Sequence, residues 1–423
     1  MIIVREGRSR SAHGLRSLLP LAVLAALACS GGSDARWTGT ITDSAGIALV
    51  HNPDAGLWRE SDVAAIAREL DIGIAEGDAA YQFGQIVGLD VGSDHSIYVF
   101  DQQNLTVRVF DADGKFLRQM GRPGSGPGEL GRGSTGLLLN AGDTVFVPDI
   151  GQQRMVRFTP DGQDAGSFPI PLQEGISIRW ARTPDGMLVQ QTRAFQQAQT
   201  GESRSDYLLL RDGAGTLIDT ILALPAGRSF EFAAGGLPRM RIFEAEPIWS
   251  ITTDGKVLYG MNSQYAIHVY DRAGRLERII RRPFQQGAVT EADRKTLLDF
   301  IGEAMAAQGA PPQLVQRFLA NIEFADVYPA FASIMGGIDG SVWVQRIQTA
   351  AQVAARGGQF TAQDVGGPTW DVFDGQGRYL GALELPDRFA PSQIKGDLVY
   401  GIWRDEMDVQ HVVRLRITGT WTA

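Results

Sequence analysis

Ile97-Tyr98-Val99-Phe100-Asp101, followed by Val107-Arg108-Val109-Phe110-Asp111-Ala112-Asp113-Gly114, is written twice in this chain. The second copy reads Val145-Phe146-Val147-Pro148-Asp149, then Met155-Val156-Arg157-Phe158-Thr159-Pro160-Asp161-Gly162. Asp101 and Asp149, Phe110 and Phe158, Asp113 and Asp161, Gly114 and Gly162, and Gly88 and Gly136 all stand 48 positions apart. Each copy is a pair of alternating apolar and polar runs closed by Asp-Gly, a dipeptide that tolerates the positive φ of tight hairpin turns. A strand-built period near 48 is that of a β-propeller blade.

The same offset extends toward the N-terminus. Leu70-Asp71-Ile72-Gly73 parallels the stretch ending at Gly121, 48 positions later. Residues 69–73 therefore have the signature of an outermost blade strand with no blade in front of them. The expectation is that they complete the last blade by pairing with 412–417, because closure removes the free sheet edges of an open array. Weaker copies follow at Thr183–Val189 with Tyr207–Gly213, Thr253–Tyr259 with Ile267–Gly274, Asp339–Val344 with Trp370–Gly375, and Gly396–Tyr400 with Val412–Ile417. That makes six blades. Residues 30–68 hold one short strand, Gly46–His51, and a turn at Pro53–Gly56, too few strands for a seventh.

One stretch changes period. Thr290 reads as a helix N-cap with Asp293 three residues on, and Leu297, Ile301 and Met305 follow at i, i+4 and i+8 up to Gly309. Pro311-Pro312 opens a second helix carrying Leu314, Val315, Phe318, Leu319 and Ile322. The predicted fold is thus all-β, a six-bladed β-propeller over 69–418, with a helical hairpin insertion at 290–324 between blades four and five.

The start of the chain reads as an export signal over residues 1–28. Arg5, Arg8, Arg10 and Arg16 precede the apolar run Leu18–Ala28, too short to span a bilayer. Ala26-Leu27-Ala28-Cys29 then meets Ser30-Gly31-Gly32-Ser33. Cys29 is the single cysteine, and its setting resembles a bacterial lipobox, with Ala26 where leucine usually stands. The expectation is lipidation at Cys29, with 29–68 as tether and lead-in; cleavage near Ala28 by an ordinary signal peptidase is the alternative. Removing four arginines and one glutamate with the leader takes the formal net charge from −9 to −12. An acidic surface argues against nucleic acid and against anionic lipid as partners.

Ile97–Asp101 and the link Gly124-Ser125-Gly126-Pro127-Gly128-Glu129-Leu130, with Tyr328-Pro329-Ala330 and Asp339–Val344 later on, resemble the NHL-like six-bladed β-propellers. Within that group the chain is similar to exported bacterial propeller lipoproteins of unassigned function. The resemblance covers 69–418 and implies a fold and a cell-envelope location, periplasmic or outer-surface, without chemistry.

No catalytic pattern stands out. Gly126–Gly131 spells G-x-G-x-x-G, but a strand follows it where a dinucleotide site needs a helix. Asp101 and Asp149 read as caps of their own turns. Related propeller lyases and lactonases hold a channel metal, yet His13, His51, His95, His268 and His411 fall where no three can converge. The expectation is no cofactor, no metal and no catalytic residue, with a calcium-type lyase or lactonase near Glu246 or Asn262 as the alternative.

The remaining signal is loop length. All seven Asp-Gly pairs fall in first-to-second or third-to-fourth strand turns, which share one face of a propeller. The long connections Gln191–Ser205, Ala226–Glu244, Phe284–Asp326 and Gln345–Thr369 fall on the other, and loops of that length in a compact domain are usually functional. The predicted function is an extracytoplasmic, membrane-anchored binding or scaffold module recognising a peptide, glycan or partner protein there. Arg179, Trp180, Glu246, Trp249 and Tyr328 are candidates for the cleft floor, with Arg132 and Arg193 nearer the rim; inter-blade core packing is the competing reading for the aromatics.

Overall fold

The computed structural model describes residues 37–58, 65–193, 205–226, 240–356, 365–419 and 421. Residues 1–28 (read as an export signal), Cys29 and parts of three long connections lie outside them. No helix among the described residues is long and apolar enough to cross a membrane.

Six antiparallel sheets form the ring. From the innermost strand outward, blade one is Ile86–Val91, Ile97–Asp101, Thr106–Phe110 and Phe116–Met120. Blade two is Leu138–Leu139, Val145–Asp149, Arg154–Phe158 and Asp164–Pro169. Blade three is Ile176–Arg182, Leu188–Arg193, Ser205–Arg211 and Leu217–Pro225. Blade four is Pro247–Ile251, Val257–Met261, Ala266–Tyr270 and Leu276–Arg281. Blade five is Ser333–Gly336, Val342–Ile347, Gly366–Phe373 and Tyr379–Glu384. Blade six takes Phe389–Lys395, Leu398–Arg404 and Gln410–Thr418 from the end of the chain and Ala65–Ile72 from its beginning. Ile72 faces Val412 and Ala65 faces Thr418, the closure that the repeat offset predicts, begun four residues earlier.

The alternation of each strand puts one set of apolar side chains against the preceding blade and the other against the following one. Tyr98, Phe100 and Val107 meet Leu139, Val145 and Val147 between blades one and two. Ile97, Val99 and Phe110 meet Ile72, Tyr400 and Val412 across the closure. Equivalent clusters fill the other junctions, so the core is a ring of inter-blade seams, each large buried side chain contributing about 1.5–3 kcal/mol.

The third-to-fourth turns explain the repeated Asp-Gly. In blade one Asp111 accepts the Asp113 and Lys115 N–H groups, and Gly114 takes φ +82° against Leu70 and Ile72 of blade six. Gly162, Gly215, Gly274 and Gly377 hold the same place, each with its Cα against the outer strand of the blade before. At two of the Asp-Gly pairs, 212–213 and 374–375, the left-handed residue is not the glycine of the pair but Gly215 and Gly377. There the aspartate is the turn's capping acceptor, two positions before the usual spelling.

The lead-in is a strap. Thr40–Ser44 and Ile47–His51 form a hairpin around Ala45 and Gly46, both at positive φ as a two-residue turn requires. Ile47–His51 then adds in parallel to the outer strand of blade four. Asn52 is buried and joins three elements: its Nδ2 donates to Arg281 O (3.2 Å) and Gly377 O (2.9 Å), and its Oδ1 accepts from Tyr379 N (2.7 Å) and Trp37 Nε1 (3.2 Å). Leu57 and Trp58 hydrogen-bond to Tyr379 O and Leu380 O at the edge of blade five. One N-terminal segment thus runs along the outside of blades four, five and six.

The helical insertion forms as its signals predict. Helix α1, Glu291–Ala307, starts at a complete capping box between Thr290 and Asp293, and α2 is Pro312–Leu319. Ile322, read as part of α2, instead lies in a strand, Ile322–Phe324, parallel to Met240–Ile242. A β-branched residue alternating with Glu323 and Phe324 suits an extended partner better than a fourth helical turn. A third helix, α3 at Ala350–Arg356, has no counterpart in the sequence reading.

Candidate ligand-binding site

The two faces of the ring differ in kind. On one, first-to-second and third-to-fourth strand connections are about five residues long, pinned by Asp, Asn or Thr side chains that accept their own turn's N–H groups. On the other, the described parts of the long connections fold together. Leu297 and Ile301 of α1 pack on Phe243, Val289, Tyr328, Ala350 and Val353, a seventh apolar cluster separate from the blade seams. The paired strands Met240–Ile242 and Ile322–Phe324 tie the blade three-to-four link to the hairpin. At the end of α3, Arg356 donates to Gln348 Oε1 and Gly366 O, and its own carbonyl accepts from Arg388 of the blade five-to-six link (2.6 Å). The result is a cap with its own core over blades three to five.

Inside the ring, the innermost strands run from the cap face toward the turn face. At the turn-face end Arg182 makes a two-pronged pair with Asp90 (Nε–Oδ2 3.1 Å, Nη2–Oδ1 3.2 Å), and Leu139 N also donates to Asp90 (2.9 Å). Blades one and three are not neighbours, so these side chains meet in front of the innermost strand of blade two, within the channel. Lys395 of blade six bonds the carbonyl of Gly92 beside them. Three residues up the strand, ~10 Å at ~3.3 Å per residue, stands Arg179. Its side chain is exposed to solvent, although desolvation by the protein around it holds its pKa below the ordinary arginine value. On an innermost strand both statements hold for a side chain that faces the channel. Its Nη1 donates to Trp249 O (2.8 Å), and its guanidinium lies 4.8 Å from the Trp249 ring centre.

The other candidates are distributed as follows. Trp249 is 1% exposed, donates Nε1–H to Gln191 (2.7 Å) and belongs to the seam between blades three and four, the core-packing reading. Trp180, half-buried, packs toward blade two among Phe146, Phe168 and Leu188. Arg193 sits inside, not at the rim, because Asp206 on the adjacent strand holds it in a bidentate pair (2.7 and 2.8 Å). Tyr328 belongs to the cap core, its ring 4.5 Å from Phe243 and its hydroxyl accepting Ala350 N–H. Glu246 is half-buried, and its N–H is taken by Asn262 Oδ1 (2.6 Å), whose Nδ2 donates to Phe331 O (2.9 Å). Asn262 is therefore a latch, the blade-four counterpart of Asp101, which accepts from Gly84, Gln85, Gln103 and Asn104. Arg132 is exposed in the link between blades one and two.

Two groups of charges escaped the sequence reading. One is the Asp90–Arg182 pair. The other is Asp371, 1% exposed, which accepts from Tyr265 (2.7 Å), Tyr379 (2.9 Å), Arg282 (3.1 Å) and Arg346 (2.7 Å) at the junction of blades four and five. Burial, with Asp371 adding to it, pushes the Tyr379 hydroxyl up to about 12. The available signal was a carboxylate inside an otherwise apolar strand: Asp90 in Ile86–Val91 and Asp371 in Gly366–Phe373.

Residues 81–219 match the family described as DUF5128, a 6-bladed β-propeller. Among solved structures, a Bacteroides fragilis protein described as exported is similar in fold at 12% identity, over 88% of this chain and 99% of its own, with a TM-score of 0.49. A DUF4221 member from Bacteroides vulgatus is 9% identical over 85% of this chain and 100% of its own, TM-score 0.48. Virginiamycin B lyase from Staphylococcus aureus, in a catalytically inactive form with quinupristin, is 11% identical over 84% of this chain and 100% of its own, TM-score 0.40. No curated protein matches the sequence.

Proposed function

We propose that the chain is an exported binding module, held at a membrane through lipid on Cys29, that recognises a peptide, glycan or partner protein on its cap face. One observation carries the reading. The described parts of the long connections between blades three and five build a cap with its own apolar core, while the opposite face is trimmed to pinned turns. A scaffold that needed only stability would not require a second core on one side. Leu314 on α2, 37% exposed, and Arg132 belong to the surface so assigned.

The test is binding of the mature chain to peptide and glycan arrays, compared across substitutions. Leu314→Asp and Arg132→Glu should weaken captured signals, and Leu117→Asp on the outer strand of blade one should leave them intact. Equal loss from Leu117→Asp, or none from the cap-face pair, contradicts the reading. Stoichiometric divalent metal in the purified protein, lost together with turnover of a lactone or glycan, would instead favour the lyase or lactonase alternative. For the anchor, Cys29→Ser should move the protein out of the membrane fraction, and unchanged retention refutes lipidation there.

A further inference from the structure

We infer that Arg179 anchors a ligand oxyanion, a carboxylate or phosphate group, inside the propeller channel. The inference rests on the cap-face reading and adds the chemistry of what enters. Two observations converge. First, Arg179 is the mid-channel cation whose hydrogen bond goes to a neutral carbonyl; among the described residues no carboxylate pairs with it. The neighbouring arginines are matched: Arg182 by Asp90, Arg193 by Asp206, Arg211 by Glu174. A guanidinium that is open to solvent and held by no carboxylate is available to take an anion. Second, the channel has a floor. The Asp90–Arg182 pair and Lys395 occupy its turn-face end, so a ligand enters from the cap face and reaches Arg179 from that side. The guanidinium is a planar two-pronged donor, which suits oxyanions. Trp249 holds the guanidinium plane in place through its ring and carbonyl.

The test uses the mature chain with inorganic phosphate, acetate and glucuronate as probes, at constant ionic strength set with chloride, read by thermal denaturation and calorimetry. At least one probe should raise the wild-type melting temperature in a saturable way. The shift should vanish in Arg179→Met, and affinity should fall about tenfold in Arg179→Lys, which keeps the charge but loses the fork. Without probe, Arg179→Met should melt close to wild type, because the side chain is exposed and no ion pair is lost. Arg275→Met, an exposed arginine in a tight turn on the opposite face, should behave as wild type. A response to phosphate alone or to the carboxylates alone names the source. No probe effect, an equal effect in Arg179→Met, or a lower melting temperature for Arg179→Met in every buffer overturns the inference and leaves Arg179 as a structural pin. Array binding that survives Arg179→Met but falls with Leu314→Asp leaves the cap-face reading standing. Probe binding without array binding does the reverse.

Discussion

Asn52→Ala tests whether the strap holds the ring. The amide makes four hydrogen bonds, two donated and two accepted, to Arg281, Gly377, Tyr379 and Trp37. Arg281 O keeps the backbone N–H of residue 52 (2.9 Å), and the Trp37 indole can turn to water. Two groups lose their partner outright: the Tyr379 N–H and the Gly377 carbonyl, both under the strap. At about 1–3 kcal/mol for each buried group left unmade, the loss is roughly 2–6 kcal/mol. Large domains shift by about 2–4 °C per kcal/mol, so the transition should fall by at least about 4 °C and by up to roughly 24 °C. Asn52→Asp separates hydrogen bonding from size. A carboxylate still accepts from Tyr379 and Trp37 but faces two carbonyls without a donor, so the variant should be worse than alanine at neutral pH and recover on acidification. The assay is thermal denaturation followed by circular dichroism, with limited proteolysis for cleavage near Ala45. A change of under a degree in Asn52→Ala, with the hairpin still resistant to protease, would refute the strap as a structural clamp.

Three further outcomes are expected. Leu297→Ala empties the cap core, where Leu297 is fully buried, and should cost about 2–5 kcal/mol; it should appear as a separate early transition in calorimetry if the cap melts before the ring. Asp371→Asn removes the counter-charge of Arg282 and Arg346; because Arg346 is 42% exposed and screened, denaturant titration should show the lower end of the roughly 3–5 kcal/mol of a broken buried pair. His268 is held below its ordinary pKa by burial, with Arg281 adding to it, against a hydrogen bond that opposes. The unfolded chain therefore binds more protons, and stability falls as pH drops through the unfolded value of about 6.5 toward the lower folded one. His268→Gln should flatten that part of the stability–pH curve and leave the rest unchanged.

The ring was legible because its determinants are local and repeated. Asp101 and Asp149, Phe110 and Phe158, and Gly114 and Gly162 each do one job twice, and the same spacing exposed the strand whose partner is at the far end of the chain. The strap was half legible: Ile47–His51 reads as a strand, but nothing in its residues says that it pairs in parallel with blade four. The long-loop face was legible from lengths alone. Its interior was not, because whether an arginine is paired depends on which strand lies across from it. Arg193 and Arg179 share one blade, yet Asp206 neutralises the first and only a carbonyl and a ring meet the second. Trp249 and Tyr328 illustrate the same limit, since an aromatic at a channel strand or link serves a seam as readily as a cleft.

The closing strand also dictates the order of assembly. Ile72 and Val412 are 340 positions apart, and Ala48 must find Arg278 across 230. The loop-closure entropy grows only slowly with such separations, by about 0.6 kcal/mol per doubling, but contacts of this range form late. The segment made first is therefore placed last. Until the final strands arrive, Ile66, Leu70 and Ile72 have no seam to enter, and the outer edges of blades four and six stay unpaired. Both registers can be met equally well by the N-terminal segment of a second copy, so a strand-exchanged dimer is the expected by-product of folding at high concentration.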